Sequence, residues 1–374
     1  MNAITVVVNS LGTGGAEKVT VLLCNYFVSI GLKVDLVLIR YRGKYLPQLD
    51  KRVNVLQTNE RLIRLGFVGR VVALWQSLRR LDNSTILSIG EWPNVTSPFS
   101  RVLLDYKPRL ILCEHNTRTF INHPEEYKLS KIYQSIARSA YRRADAIVAV
   151  SEQVKQSVVA AIPSICARTV VINNPIDLER INRLGEEALD HRWVTNKKTP
   201  LLIAVGRLQS TKDYPTMLKA ISYLKNEQNE LSHLLILGEG DLAEELRAMT
   251  RELAIDEIVE FMGFVENPYK YYSHADLFVH SAIYEGFPMV FIEAFACGLS
   301  IASTDCNIPK EIFYREDMEL VVPIGDHRLL AQAISKGLRT KRDPESAKRR
   351  VEKFNVHQIG REYMHVISGE GTSS

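Results

Sequence analysis

Glu285 and Glu293 are separated by seven residues in the segment Glu285-Gly-Phe-Pro-Met-Val-Phe-Ile-Glu293. Two carboxylates at this spacing could act as an acid–base couple or as a clamp on a polar ligand. The apolar run Asp276-Leu-Phe-Val-His280 before them reads as a strand, and the segment itself opens a helix. Glu285 then lies in the loop at the strand's carboxyl end, and Glu293 lies inside the helix. Gly286, Phe287, Pro288, Met289 and Val290 form the helix entry, where unpaired N–H groups and the positive dipole end suit a phosphate. Ligands of open α/β sheets bind at junctions of this kind.

Two cations belong with this pair. Arg207 and Lys212 occur in Gly206-Arg-Leu-Gln-Ser-Thr-Lys-Asp213, directly after the apolar run Leu201–Val205 and before a helix entered near Pro215. A guanidinium fork and an ammonium on one strand edge suit a diphosphate, whose charge grows as it becomes a leaving group. Taken singly, each could be a solvated loop residue. Further ledges follow predicted strands. Asn9-Ser-Leu-Gly-Thr-Gly-Gly-Ala-Glu17 places Gly14 and Gly15 at a strand-to-helix turn, where glycines allow positive φ and close approach of a ligand. It is not a dinucleotide fingerprint, because Glu17 stands where the third glycine would be. His115 puts an imidazole after Leu110–Cys113, though a lone histidine is as readily structural. Gly238-Glu239-Gly240-Asp241 reads as a turn and helix N-cap, with Glu239 a candidate nucleotide contact. Ser151 and Asn174-Pro-Ile-Asp177 fit caps and turns.

The elements that position these residues are short β-rich runs alternating with helical patterns, the mark of parallel sheets with crossover helices. In the first half, strands are expected at 4–8, 34–39, 86–89, 110–113, 146–150 and 170–172. In the second they are expected at 201–205, 234–237, 259–262, 277–280, 299–302 and 320–322. At 374 residues the chain is too long for one ordinary core. The polar stretch 178–199 marks the junction, giving an N-terminal domain over 1–185 and a C-terminal domain over 186–374, the last helix being free to pack back on the first. The expected fold is α/β, two Rossmann-like domains facing across a cleft. The tail 369–374 is expected to fray.

Composition is that of a globular protein, with 46% hydrophobic and 24% charged residues. No apolar run spans a membrane and the start lacks a signal peptide, so a cytoplasmic protein is expected. Five cysteines without a CxxC pair read as reduced, mostly buried thiols. The sequons at Asn83 and Asn94 are read as chance. The net charge of +4 is uneven: residues 1–190 carry 25 Lys and Arg against 17 Asp and Glu, so this half should meet something anionic. Residues 61–81, with basic residues and Trp75 beside an apolar face broken near Gly66 and Gly69, suit peripheral contact with an anionic bilayer, as does the basic helix 128–143. A core helix with solvated arginines is the plainer alternative. HExxH, CxxC and GxSxG motifs are missing, which argues against metal-site and serine-hydrolase chemistry. Nucleic-acid binding lacks its basic and aromatic cluster.

Together the E-x7-E pair, the Gly206-Arg207 to Lys212-Asp213 loop, the Gly14-Gly15-Ala-Glu turn and strand-end His115 resemble the family 4 retaining glycosyltransferases of the GT-B fold, in order and from about residue 4 to 330. Glu114-His115-Asn116 and Thr304-Asp305-Cys306 are similar to bacterial enzymes that extend polysaccharides or lipid-linked oligosaccharides. The resemblance implies a UDP- or GDP-linked sugar donor held by the second domain and a glycan or lipid-linked acceptor at the first, without a metal or other cofactor. Arg207 and Lys212 would neutralise the donor diphosphate, Glu293 would bind the ribose hydroxyls, and Glu285 would face the sugar. His115 would contact the transferring sugar, with Gly14 and Gly15 near phosphate or acceptor. Covalent and front-face routes to retention both stay open. One departure is the loop 306–310, which lacks the family's glycine and makes Glu311 a secondary candidate. Two other readings are a sugar-nucleotide epimerase of the same architecture and a non-enzymatic membrane-associated binding protein.

Overall fold

A computed structural model describes residues 3–117, 131–195, 197–308, 311–314, 317–340 and 343–369. The chain forms two compact units, Met1–Ile176 with Phe354–Ser374, and Asp177–Lys353. The first holds seven strands: β1 (Ala3–Val8), β2 (Lys33–Leu38), β3 (Asn54–Gln57), β4 (Thr85–Ile89), β5 (Arg109–Glu114), β6 (Ala146–Ala149) and β7 (Thr169–Val171). They lie in the order β3-β2-β1-β4-β5-β6-β7, all parallel. The second holds β8 (Leu201–Val205), β9 (His233–Leu237), β10 (Val259–Gly263), β11 (Leu277–His280), β12 (Ile301–Thr304) and β13 (Val321–Val322), in the order β10-β9-β8-β11-β12-β13. Each sheet therefore has the doubly wound order, reversing between β1 and β4 in one and between β8 and β11 in the other. Strands covered on both faces read as largely apolar runs, and β4, β6, β11 and β12 are buried at every residue, their few polar side chains included.

Several expectations are corrected. The sequence reading omitted β3, a half-exposed edge strand that begins and ends in polar residues. The strand expected at 299–302 begins two residues later, because Gly298 (φ +76°) ends the preceding helix and Leu299 N–H bonds back to Ala294. The unit boundary falls at 176/177 rather than 185/186. Helix Leu178–Gly185 packs on the second unit: a Cβ on Gly185 would lie 2.6 Å from Ser273 Oγ, and Asn267 Nδ2 donates to Leu184 O at 2.9 Å. Helix Val356–Ser368 returns to the first unit, where Gly360 presses on the Tyr26 ring and Arg109 donates to Val366 O at 3.0 Å. Asn83 and Asn94 are both buried, Asn83 bonding Thr5 and Asp35 and Asn94 bonding Cys113 O, so neither sequon is accessible. Cys24, Cys113 and Cys306 are buried free thiols, whereas Cys166 is exposed. Residues 370–374 of the expected frayed tail lie outside the described residues.

Candidate active site

The loops leaving β8 and β11 flank the point where the second sheet reverses its strand order, and they carry the predicted cations and carboxylate. Backbone packing fixes the first loop. A Cβ on Gly238 would lie 1.9 Å from Gly206 O, and one on Gly240 would lie 2.2 Å from Leu208 O, so only glycine lets these loops meet. Leu208 N–H donates to Glu239 O at 2.9 Å and Gly206 N–H to Leu237 O at 3.0 Å. Arg207, between these anchors, is exposed and its guanidinium has no ion-pair partner among the described residues. The loop then tightens through Ser210–Lys212 into Asp213 (φ +43°), whose carboxylate caps helix Tyr214–Glu227 by accepting from Thr216 N–H and Oγ1. Asp is among the few side chains that tolerate this left-handed backbone.

Hydrogen bonds lace this loop to its neighbours. Ser281 Oγ donates to Lys212 O at 2.8 Å, Ile283 N–H to Thr211 O at 2.9 Å, and Glu285 N–H to Cys306 O at 2.8 Å. Lys212 Nζ consequently ion-pairs with Glu285 Oε1, and His280 Nε2 lies 3.1 Å from the same oxygen. Glu285 is mostly buried. Burial works to raise its pKa, but the Lys212 charge and the bonds from His280 and Lys212 outweigh it and hold the carboxyl at about 2. Burial, with Lys212 nearby, lowers the pKa of His280. The imidazole is therefore neutral near pH 7, and since a carboxylate only accepts, Nε2 carries the proton. Phe278 and Phe291, at ring distances of 6.1 and 5.0 Å, fix that imidazole. Tyr214 donates to Gly206 O at 3.0 Å, and burial pushes its phenol up.

His280 was missed by the sequence reading, which treated it only as the end of an apolar run. The rule that singled out His115, an imidazole at a strand's carboxyl end, would have found it.

Helix Met289–Ala296 begins at Pro288, which offers no capping side chain to the first-turn N–H groups. Glu293 is buried inside it, beside Tyr272, whose phenol is pushed well up by burial and by the Glu293 charge. Gly286, Phe287, Pro288 and Met289 are buried and Val290 is half-buried. Glu239 is exposed and accepts from Phe264 N–H at 3.3 Å. Asp241 does not cap the following helix, which starts at Ala243 after Leu242. In the glycine-free loop, Asn307 adopts φ +60° and so supplies the left-handed turn itself; Pro309 and Lys310 lie outside the described residues. Glu311 is half-buried.

In the first unit, His115 follows β5 and is buried, with both ring nitrogens lacking a hydrogen-bond partner among the described residues. Burial pushes its pKa down to about 4, so it too is neutral. Its turn is held by Glu114, whose Oε1 accepts from His115 and Asn116 N–H at 3.0 and 3.1 Å while Oε2 accepts from Tyr141. Gly14 N-caps helix Gly15–Ser29 at φ −86°, not a positive φ. A Cβ there would lie 2.3 Å from Glu17 Oε2, so the glycine makes room for this chain's own carboxylate.

The basic stretch 61–81 forms helices Glu60–Ile63 and Gly66–Leu78. Gly69 lies inside the second rather than breaking it, because a Cβ would meet Leu62 O at 2.0 Å. Trp75 is half-buried and donates to Leu103 O at 2.8 Å, whereas Leu65 and Val68 are 70% and 71% exposed beside exposed Arg61 and Arg64. The basic helix spans Lys131–Arg142, with 128–130 outside the described residues. Among the described residues no helix is long and apolar enough to cross a membrane, and no group of three or more His, Cys, Asp or Glu could hold a metal.

Comparison with known proteins bears on both units. Residues 13–180 match the family model described as Glycosyltransferase Family 4, and residues 186–354 match that of Glycosyl transferases group 1. The chain is 26% identical to the N-acetylgalactosamine-N,N'-diacetylbacillosaminyl-diphospho-undecaprenol 4-alpha-N-acetylgalactosaminyltransferase of Campylobacter jejuni, covering 99% of this chain and 100% of the relative. It is 25% identical over 98% of its length to the GalNAc-alpha-(1->4)-GalNAc-alpha-(1->3)-diNAcBac-PP-undecaprenol alpha-1,4-N-acetyl-D-galactosaminyltransferase of the same organism, 99% of which is covered. The solved structure of Anabaena HepE in complex with UDP and glucose aligns with a TM-score of 0.80 over 99% of this chain and 100% of that one, at 17% identity, which speaks for the fold.

Proposed function

This chain belongs to the family 4 glycosyltransferases of the GT-B fold, and on that premise we propose that it moves a sugar from a nucleotide-diphosphate donor to a hydroxyl of a glycan or lipid-linked acceptor, with retention, in bacterial cell-surface glycan synthesis. The observation that carries this reading is the placement of Arg207, Lys212, Glu285 and an uncapped helix start around the strand-order reversal of the second sheet. Arg207 and Lys212 neutralise the diphosphate, most strongly as it departs, and the main-chain N–H groups at 289–290 add to this. No metal is needed, because these groups supply the positive charge. Glu293 binds the ribose hydroxyls and Glu285 faces the transferred sugar. The nucleotide is uridine- or guanosine-linked.

In the first unit we assign the sugar to His115, a neutral imidazole whose ring nitrogens have no partner among the described residues. The Gly14–Gly15 turn serves the acceptor rather than a phosphate, since the Glu17 carboxylate over it repels anions. Leu65 and Val68 among arginines bring the protein to the cytoplasmic face of an anionic membrane, where a lipid-linked acceptor resides. The relatives named above are transferases acting on undecaprenol-linked glycans, and nothing favours an epimerase.

The test is incubation with labelled UDP- and GDP-sugars, with and without a bacterial membrane extract. Label moving into the lipid fraction supports the proposal. Interconversion of the free donor without transfer refutes it.

A further inference from the structure

One oxygen, Oε1 of Glu285, is shared by Lys212 Nζ and by His280 Nε2 at 3.1 Å, all three side chains being less than a fifth exposed. The donor reading above, on which this inference rests, sends Lys212 to a diphosphate. An ammonium that neutralises a diphosphate loosens its hold on Glu285, and a buried carboxylate deprived of its cation is costly. His280 already bonds the same atom. The geometry points to His280 as a positioning residue that keeps Glu285 in place and takes up a proton when Lys212 engages a donor diphosphate.

The surroundings favour this exchange. Lys212, from the loop after β8, lowers the proton affinity of His280 in the free protein, and Glu285 raises it. Helix Tyr214–Glu227 and the loop after β12 add Tyr214 and Cys306, both held neutral by burial. Phe278 and Phe291 bring no charge. A bound diphosphate offsets the Lys212 charge and adds negative charge of its own, so both changes favour the imidazolium. The proton comes from solvent, and no covalent bond changes.

Calorimetric titration of UDP and GDP at pH 7, in two buffers of different ionisation enthalpy, counts the protons taken up by the wild type and by His280→Gln. Glutamine keeps an N–H for Glu285 but takes no proton. Per nucleotide bound, proton uptake by the wild type should exceed that of His280→Gln by about a quarter of a proton or more, the uptake expected when binding lifts the imidazole midpoint from below 6.5 to about 7. Equal uptake would overturn the assignment. If His280→Gln does not fold, histidine-labelled wild type titrated by NMR reports directly: the His280 midpoint rises on nucleotide binding, and an unmoved midpoint overturns the assignment. Failure of both nucleotides to bind would appear first, and would sink the donor reading along with this inference.

Discussion

Lys212 and Glu285, 73 residues apart in sequence, form an ion pair from loops on either side of the strand-order reversal in the second sheet. On the proposed reading, the cation assigned to a diphosphate rests on the carboxylate assigned to a sugar, so a donor would enter by exchanging partners rather than by filling a bare basic patch.

If Arg207, Lys212 and the helix start supply the positive charge as proposed, transfer should not depend on a divalent ion. Turnover measured after dialysis against EDTA should stay within about twofold of the untreated rate. Loss of activity restored by Mg²⁺ or Mn²⁺ would count against this division of labour.

Acid should destabilise the fold in two stages. The His115 pKa falls from 6.5 to about 4 on folding, and that of Glu285 from 4.5 to about 2. In both intervals the unfolded chain binds a proton that the folded chain does not, so stability is lost as pH falls through each. Urea denaturation from pH 7 to 2.5 should show a slope between 6.5 and 4 that His115→Gln flattens, and one below 4.5 that Glu285→Gln flattens. Parallel curves for wild type and both variants would contradict the assigned charge states.

Gly238 has φ +147° and no room for a methyl beside Gly206 O. Gly238→Ala should cost roughly 2–4 kcal/mol through strain and displacement of the loop carrying Arg207. Denaturation melts would show it, with nucleotide binding weakened in whatever folds. An unaltered melting profile would mean the two loops are not packed as described.

Much of this was legible in the sequence because strands buried on both faces are mostly apolar and stand out as short runs. The runs 201–205 and 277–280 coincide with β8 and β11, and the cations and carboxylate fall at their carboxyl ends as expected. What escaped was whatever depended on distant neighbours. β3 is an edge strand, so half its residues face water and its pattern fades into loop. β12 keeps Ser303 and Thr304 because their hydroxyls bond Thr304 O and Ala282 O, partners that no local pattern reveals. His280 looked like a core residue because its partners Lys212 and Glu285 lie on loops. The glycine at 69 read as a helix breaker, yet it is a contact point between two helices.

Membrane contact should run through Leu65 and Val68, which are exposed beside Arg61 and Arg64. Burying two such side chains contributes about 1.5–3 kcal/mol each. Replacing both by Glu should lower cosedimentation with phosphatidylglycerol vesicles at least roughly tenfold while leaving the melting temperature intact. Equal binding after the double replacement would place the contact elsewhere.

The site itself is tested most directly by titrating UDP and GDP into the wild type, Arg207→Ala and Lys212→Ala. One of the two nucleotides should bind the wild type, and each substitution should weaken it by about tenfold or more, since charge-assisted bonds to a diphosphate are among the stronger polar contacts. Both variants binding that nucleotide as tightly as the wild type would contradict the account.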